Sequence, residues 1–377
     1  MLRTAWTKFR FPRTLRSENL PTLTLGIPAR NETLSLVDCL NKVENLNYPK
    51  IETIVLDDQS SDDTSNAIRG FAHAGVRFIS GEEPASGWIG KTYALAQIEK
   101  AASGEFIAFS NVDIRLSPND LNYIMTVMKE RKLDMISILP RPQHEFAIAA
   151  LMEPLRFFWN VFLPLTRGRR PIGHRLWVIR RSTLANLGGI EGQNYKIAPE
   201  NGLARRLISC DTYRFYISSS GINVRNTEDW RHELSSAVRN SFPIYKRRAG
   251  LAALGALVHL LLLSPYILIF LTCGAAWWGC LSAIIIESLA AIFYAALVRK
   301  SWFFAPLFWP FQLIQEVMVT IVSLLKYKYG TVDWRGRDIR LTVVRPDRHP
   351  DYRPAEEYIG DFHLANDKNK IKKHQHR

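Results

Sequence analysis

Cysteine is scarce in this sequence and poorly placed for chemistry. Cys39, Cys210, Cys273 and Cys280 show no metal or redox spacing, and two of them fall in apolar runs. They read as reduced packing residues of a cytosol-facing protein. Zinc-finger spacing and RNP-like motifs are missing too, and the basic residues flank long apolar runs. The net charge of +14 and pI near 9.7 therefore point to an anionic lipid surface or a phosphorylated substrate, with no nucleic-acid partner expected. A Gly-rich phosphate loop is also absent, which sets aside a nucleotidyltransferase. The first twenty residues lack a continuous apolar core, so they are expected to be neither signal peptide nor membrane span. They read as a basic, aromatic leader, either lying on a bilayer surface or disordered.

What the sequence does have, from Thr22 to about Leu139, is a regular alternation of strand-like and helical runs. The strand-like runs are Leu23–Ile27, Ile51–Leu56, Val76–Ile79, Phe106–Phe109 and Met135–Leu139. Between them, Leu34–Leu46 and Thr92–Ala102 carry apolar residues at helical spacing. This rhythm predicts an α/β domain with a mostly parallel, Rossmann-like sheet and helices on both faces. Trp177 to Ile217 is more mixed, and Ser182 and Gly188 are placed to cap a short helix.

The composition then changes. Leu251–Cys273 and Gly274–Val298 are each long enough to span a bilayer, and Trp302–Leu325 is a third apolar block. Lys246-Arg247-Arg248 before the first block, and the basic tail after the third, both favour the cytosol. Pro306, Pro310, Gln312, Gln315 and Glu316 make the third block the candidate for a re-entrant or interfacial segment. Phe146–Leu165, followed by Arg167, Arg169 and Arg170, reads as an interfacial helix, with a buried core helix as the other reading. The expected division is a leader (1–20), a cytosolic domain (21–248), a membrane region (249–326) and a basic cytosolic tail (327–377).

Chemistry concentrates where strands end. The first run breaks at Pro28-Ala29-Arg30-Asn31-Glu32, and the second discharges Asp57-Asp58-Gln59-Ser60-Ser61-Asp62-Asp63-Thr64. Polar and acidic residues at the carboxyl ends of neighbouring buried strands build a nucleotide site, one carboxylate bonding the nucleobase or ribose. A plain turn or N-cap is the alternative for Asp57-Asp58. The fourth run ends in Ser110-Asn111-Val112-Asp113, where Asp113 is placed to ligate Mg²⁺ or Mn²⁺ bridging a nucleotide diphosphate.

Taken in order, Pro28–Glu32, Asp57-Asp58-x-Ser-x-Asp-x-Thr, Gly87-Trp88-Ile89-Gly90-Lys91 and Asn111-Val112-Asp113 resemble the motifs of family 2 glycosyltransferases. The Trp-x-Gly-Lys element, the Leu187-Gly188-Gly189 turn and Asp333-Trp334-Arg335-Gly336-Arg337 narrow the resemblance to a membrane-bound branch. That branch contains ceramide glucosyltransferases and the carotenoid and hopanoid-pathway glycosyltransferases. The resemblance covers about Leu23 to Arg340. It implies a GT-A fold and inverting transfer from a nucleotide-diphosphate sugar, UDP-sugar first, to a lipid hydroxyl or carboxyl at the cytoplasmic face of a membrane.

By the same resemblance, Glu32 and Asp57 contact the nucleobase and ribose with Asp58 supporting them, and Pro28 and Asn111 complete the donor site. Lys91 meets the diphosphate as a point charge in a loop shaped by Trp88. Asp113 holds the metal, and Glu200, before Leu203-Ala204-Arg205-Arg206, stands where the family's general base stands. Three departures are visible. The usual Asp-x-Asp is Asn111-Val112-Asp113, the Glu-Asp pair is Pro199-Glu200, and no Gln-x-x-Arg-Trp precedes the apolar blocks, where Asp229-Trp230-Arg231 and Arg239-Asn240 occur. The last argues against a processive polysaccharide synthase. The first two leave open a degenerate GT-A membrane scaffold or partner subunit.

Overall fold

The computed structural model describes residues 19–84, 88–143, 170–194, 196–218, 222–228, 230–245, 247–298, 302–334 and 337–338, with Leu155 and Phe158 as single positions. Residues 1–18 of the leader, most of Phe146–Leu165, Gly87 and the tail after 338 lie outside the described residues.

The chain enters the alternation read from its sequence: β1 (Leu23–Ala29), α1 (Thr33–Glu44), β2 (Ile51–Asp57), α2 (Thr64–Gly70), β3 (Val76–Ser80), α3 (Gly90–Ala101) and β4 (Phe106–Ser110). It continues through β5 (Ile114–Arg115), α4 (Asp120–Glu130), β6 (Met135–Leu139) and β7 (Arg141–Pro142). After residue 170 come β8 (Leu176–Arg180), α5 (Arg181–Asn186), α6 (Pro199–Ser209), β9 (Tyr213–Ile217) and β10 (Arg225–Asn226).

Seven strands form one sheet in the order β3-β2-β1-β4-β8-β6-β9. All neighbours run parallel except β8, which is antiparallel to both β4 and β6. Successive residues of β2 serve opposite faces, as the pleat requires. Ile54 and Leu56 join one cluster with Ala94 and Ile98 of α3, Leu184 of α5 and Leu203 of α6. Val55 joins the other, with Leu36 of α1, Ile68 of α2 and Ile124 of α4. In the parallel register Ala29 lies beside Asp57 and Asp57 beside Ser80, so the carboxyl ends of these strands reach one edge together. The strand order turns between β1 and β4, and a crevice opens outside the carboxyl ends at such a switch.

The short helix expected between Ser182 and Gly188 is present, with one correction. Arg180, extended at φ −69° and ψ 126°, is the N-cap, and Ser182 falls inside the first turn, because β8 runs straight into α5. Past its end, Gly188 and Gly189 have φ of 85° and 65°.

Four helices follow: α7 (Trp230–Ile244), α8 (Ala249–Leu268), α9 (Gly274–Val298) and α10 (Ala305–Tyr329), the last leading to the hairpin β11 (Asp333–Trp334) and β12 (Arg337–Asp338). The last three helices are each long and apolar enough to cross a membrane. The third block is one unbroken helix, with Pro306 in its first turn and Pro310 inside it. Its residues sort by face. Leu307, Phe311, Ile314, Met318, Ile321 and Leu325 are exposed at helical spacing. The polar groups turn inward: Gln312, Thr320 and Ser323 are buried, and Glu316 Oε1 accepts the Leu155 N–H at 2.7 Å. Phe158 packs on Trp309, ring centroids 4.6 Å apart, so α10 is fastened to the α/β domain along its length.

Candidate active site

A cavity of about 500 Å³ opens at the carboxyl ends of β1, β2 and β4. Its first wall is two loops stitched together. The chain leaves β1 through Asn31, which takes φ 51° and donates its N–H to Ser60 Oγ at 2.9 Å, while Asn31 Oδ1 accepts the Ser61 N–H at 2.8 Å. Thr64 Oγ1 accepts the Glu32 N–H at 3.0 Å. Pro28, Glu32 and Asp58 thereby face the cavity.

The second wall joins the start of α3 to the loop before α6. Asn194 O accepts the Ile89 N–H at 3.1 Å, and the Thr92 hydroxyl donates to Lys196 O at 2.7 Å. This seam brings Lys91 and Glu200 to the same cavity. Glu200 lies in the first turn of α6 and is only 3% exposed. Burial holds the Lys91 ammonium below its usual pKa of 10.5, and of the carboxylates opposing that pull Glu200 acts most strongly.

The third wall is the turn after β4. Lys91 Nζ donates to Asn111 Oδ1 at 2.8 Å, and Asp113 O accepts the Thr227 N–H at 2.9 Å, so that Asn111 and Asp113 line the cavity together. The carboxamide that replaces the first carboxylate of the expected Asp-x-Asp is thus a partner of the lysine.

Seven of the nine residues expected at the site meet here: Pro28, Glu32, Asp58, Lys91, Asn111, Asp113 and Glu200. Asp57 and Trp88 lie outside the lining. The Asp57 carboxylate accepts the Ser60 N–H at 3.0 Å and the Ser65 hydroxyl, holding its own loop in shape. Trp88 packs edge-on against Tyr93, with centroids 5.1 Å apart, and against the core.

The fourth wall was not legible as site residues. It includes His232, Ser236, Arg239 and Asn240 of α7, with Lys326 at the end of α10 and Val332 beyond it. Phe242 N–H donates to Ser323 Oγ at 3.0 Å, and the Tyr327 hydroxyl donates to Arg239 O at 2.9 Å, so α10 carries α7 against the cavity. Arg239-Asn240, standing where a Gln-x-x-Arg-Trp was sought, was the available signal. Among the described residues no three His, Cys, Asp or Glu side chains converge as a ready metal cage.

A mostly parallel sheet whose switch point carries acidic strand ends, a lysine and a buried glutamate has the layout of a nucleotide-binding crevice. Residues 24–176 match the model of glycosyl transferase family 2. It is 26% identical over 137 residues to the beta-monoglucosyldiacylglycerol synthase of Trichormus variabilis, a match covering 34% of this chain and 29% of that protein. Among solved structures it is similar to the mannosyltransferase PcManGT from Pyrobaculum calidifontis in complex with GDP-Man and Mn²⁺. That likeness has a TM-score of 0.53 and 19% identity, covering 87% of this chain and 94% of the other, and fixes the GT-A fold. S. aureus TarS 1–349 in complex with UDP also matches, at a TM-score of 0.40 and 15% identity, covering 84% and 95% of the two chains.

Proposed function

We propose that this glycosyltransferase moves a sugar, with inversion, from a nucleotide-diphosphate sugar to a hydroxyl or carboxyl of a lipid at the cytoplasmic face of a membrane. The observation that carries the reading is the meeting of buried Glu200 with Lys91, Asn111 and Asp113 in one cavity, closed on its far side by α7 and the end of α10.

In this reading Glu32 and Asp58 hold the nucleoside, a UDP moiety being the first candidate. Glu200 takes the acceptor proton as the acceptor oxygen bonds to the anomeric carbon. The bond from that carbon to the phosphate oxygen breaks, and the nucleoside diphosphate leaves with its charge faced by Lys91. A Mg²⁺ or Mn²⁺ ion fits as a partner of the donor. Such ions are commonly held by one or two carboxylates plus substrate phosphates, and Asp113 supplies one carboxylate. When bound, the ion neutralises diphosphate charge.

The lipid acceptor is supported by the three long apolar helices, the last of which ends at the cavity, and by the name of the Trichormus relative, which describes a glycolipid synthase. The division into a cytosolic domain (21–248), a membrane region (249–326) and a cytosolic tail (327–377) belongs to this proposal, with the basic stretch at 246–248 and the basic tail in its support. A degenerate scaffold remains the second reading, favoured by Asn111 in place of a carboxylate. Calorimetric titration of the full chain with UDP and with GDP, with and without Mn²⁺, tests the donor site. Metal-dependent binding to wild type that is lost in Asp113→Ala is expected, and no binding of either nucleotide would hand the case to the scaffold.

A further inference from the structure

Arg175 precedes β8 and does not line the cavity, yet it is bonded to three of the segments that do. Its carbonyl accepts the Asn111 N–H at 2.9 Å, in the turn that carries Asp113. Its guanidinium reaches Glu228 Oε2 at 2.9 Å, on the loop after β10, and Glu233 Oε1 in the first turn of α7. Glu233 Oε1 also accepts from the Asn226 carboxamide at 3.2 Å. The Arg175 and Glu233 side chains are each 10% exposed, and that of Glu228 is 13%.

A nearly buried arginine between two carboxylates is a poor device for stability alone, because desolvation offsets much of the Coulombic gain. What the planar guanidinium supplies is direction, since its donors form a rigid fork. Here the fork ties α7 and the 226–228 loop to one side of the site, while the backbone of the same residue ties the Asn111 turn. The far end of α7 is held separately, by Ser323 and Tyr327 of α10. The helix is thus pinned at both ends.

We propose that Arg175 is a positioning residue: it sets α7, with His232 and Arg239, against the Asn111–Asp113 turn so that the two sides of the cavity are aligned for transfer. The proposal rests on the transfer reading for its kinetic consequence but not for its structural one. Misplacement of about 1 Å in a reacting geometry costs on the order of a hundredfold in rate.

The test uses the full chain in lipid nanodiscs and three variants: Arg175→Met, Arg175→Lys and the double variant Arg175→Met with Glu233→Leu. Hydrogen–deuterium exchange is expected to rise in residues 230–240 and 111–115 of Arg175→Met. With whichever nucleotide sugar the wild type uses, kcat should fall roughly a hundredfold, while UDP or GDP binding with Mn²⁺ stays near the wild-type value. Arg175→Lys should recover part of the rate. The double variant, which removes the carboxylate stranded in α7, should recover the thermal midpoint without recovering kcat. Near-normal kcat in Arg175→Met or in the double variant would overturn the proposal, as would a loss of nucleotide affinity matching the loss of rate. If the wild type turns over no nucleotide sugar, the transfer reading fails and the exchange arm still decides: unchanged exchange in α7 overturns the positioning role.

Discussion

Lys91 and Glu200 are the pair on which the site's electrostatics turn, and each answers for the other. Glu200→Gln keeps the size of the side chain and removes the base. Turnover is expected to fall on the order of a hundredfold or more, with UDP or GDP affinity little changed, when both are measured on the same preparation. The same substitution has a second consequence. Burial lowers the pKa of Lys91 and the Glu200 carboxylate opposes that shift. The ammonium is present below its pKa and lost as pH rises through it, so nucleotide affinity should decline at alkaline pH, below the range of a free lysine. In Glu200→Gln the decline should move to lower pH, and in Lys91→Arg it should disappear. Titrations across pH that gave the same profile in all three proteins would remove Lys91 from the diphosphate. Pro28, Glu32, Asp58, Asn111 and Asp113 were legible because strand ends in a parallel sheet converge whatever the loops do, whereas Lys91 and Glu200, each in the first turn of a helix, were legible only through the order of the motifs. Asp57 was legible as a strand-end carboxylate, but its commitment to Ser60 and Ser65 depends on the local turn and no sequence pattern exposed it.

Among the elements, the turn after α5 offers a clear packing test. Gly189 has φ 65°, and a Cβ there would lie 3.0 Å from Glu99 Oε1, the carboxylate that accepts the Ile190 N–H from its other oxygen at 2.7 Å. Gly189→Ala should therefore lower stability by about 1–3 kcal/mol, seen as a drop in thermal midpoint. An unchanged midpoint would mean that Glu99 gives way freely. The strands of the first half were readable from their β-branched runs almost to the residue, since burial on both faces leaves little choice of composition. The wall made by α7 was not readable. Its site residues, His232, Ser236, Arg239 and Asn240, follow helical spacing, and only its packing on α10 turns that face toward the strand ends.

At the scale of the molecule, the beginning and end of the apolar region come together. Ala252 near the start of α8, Tyr327 at the end of α10, Val332 and Phe242 of α7 form one buried cluster. Lys326 and Val332 share the cavity with Glu32. Both ends of the region should accordingly lie on the same side of a membrane. Reporter fusions after Arg340 are expected to report the cytosol, and periplasmic or lumenal activity there would contradict this arrangement. Truncation after Lys246 should do more than release the protein from membranes after a high-salt wash. It also removes the α10 end of the cavity, so nucleotide-dependent turnover should be lost with it, whereas deletion of residues 1–20 should spare both.

The most direct measurement is transfer itself. Purified full-length protein in lipid would be given a panel of radiolabelled UDP- and GDP-sugars with Mn²⁺ and mixed lipid acceptors, followed by extraction into organic solvent. Label is expected in the lipid phase from at least one donor. That transfer should be abolished by chelator and by Asp113→Ala, and reduced about a hundredfold or more by Glu200→Gln. Failure of the wild type to transfer any sugar, or transfer that persists unchanged in both variants, would contradict the transfer reading.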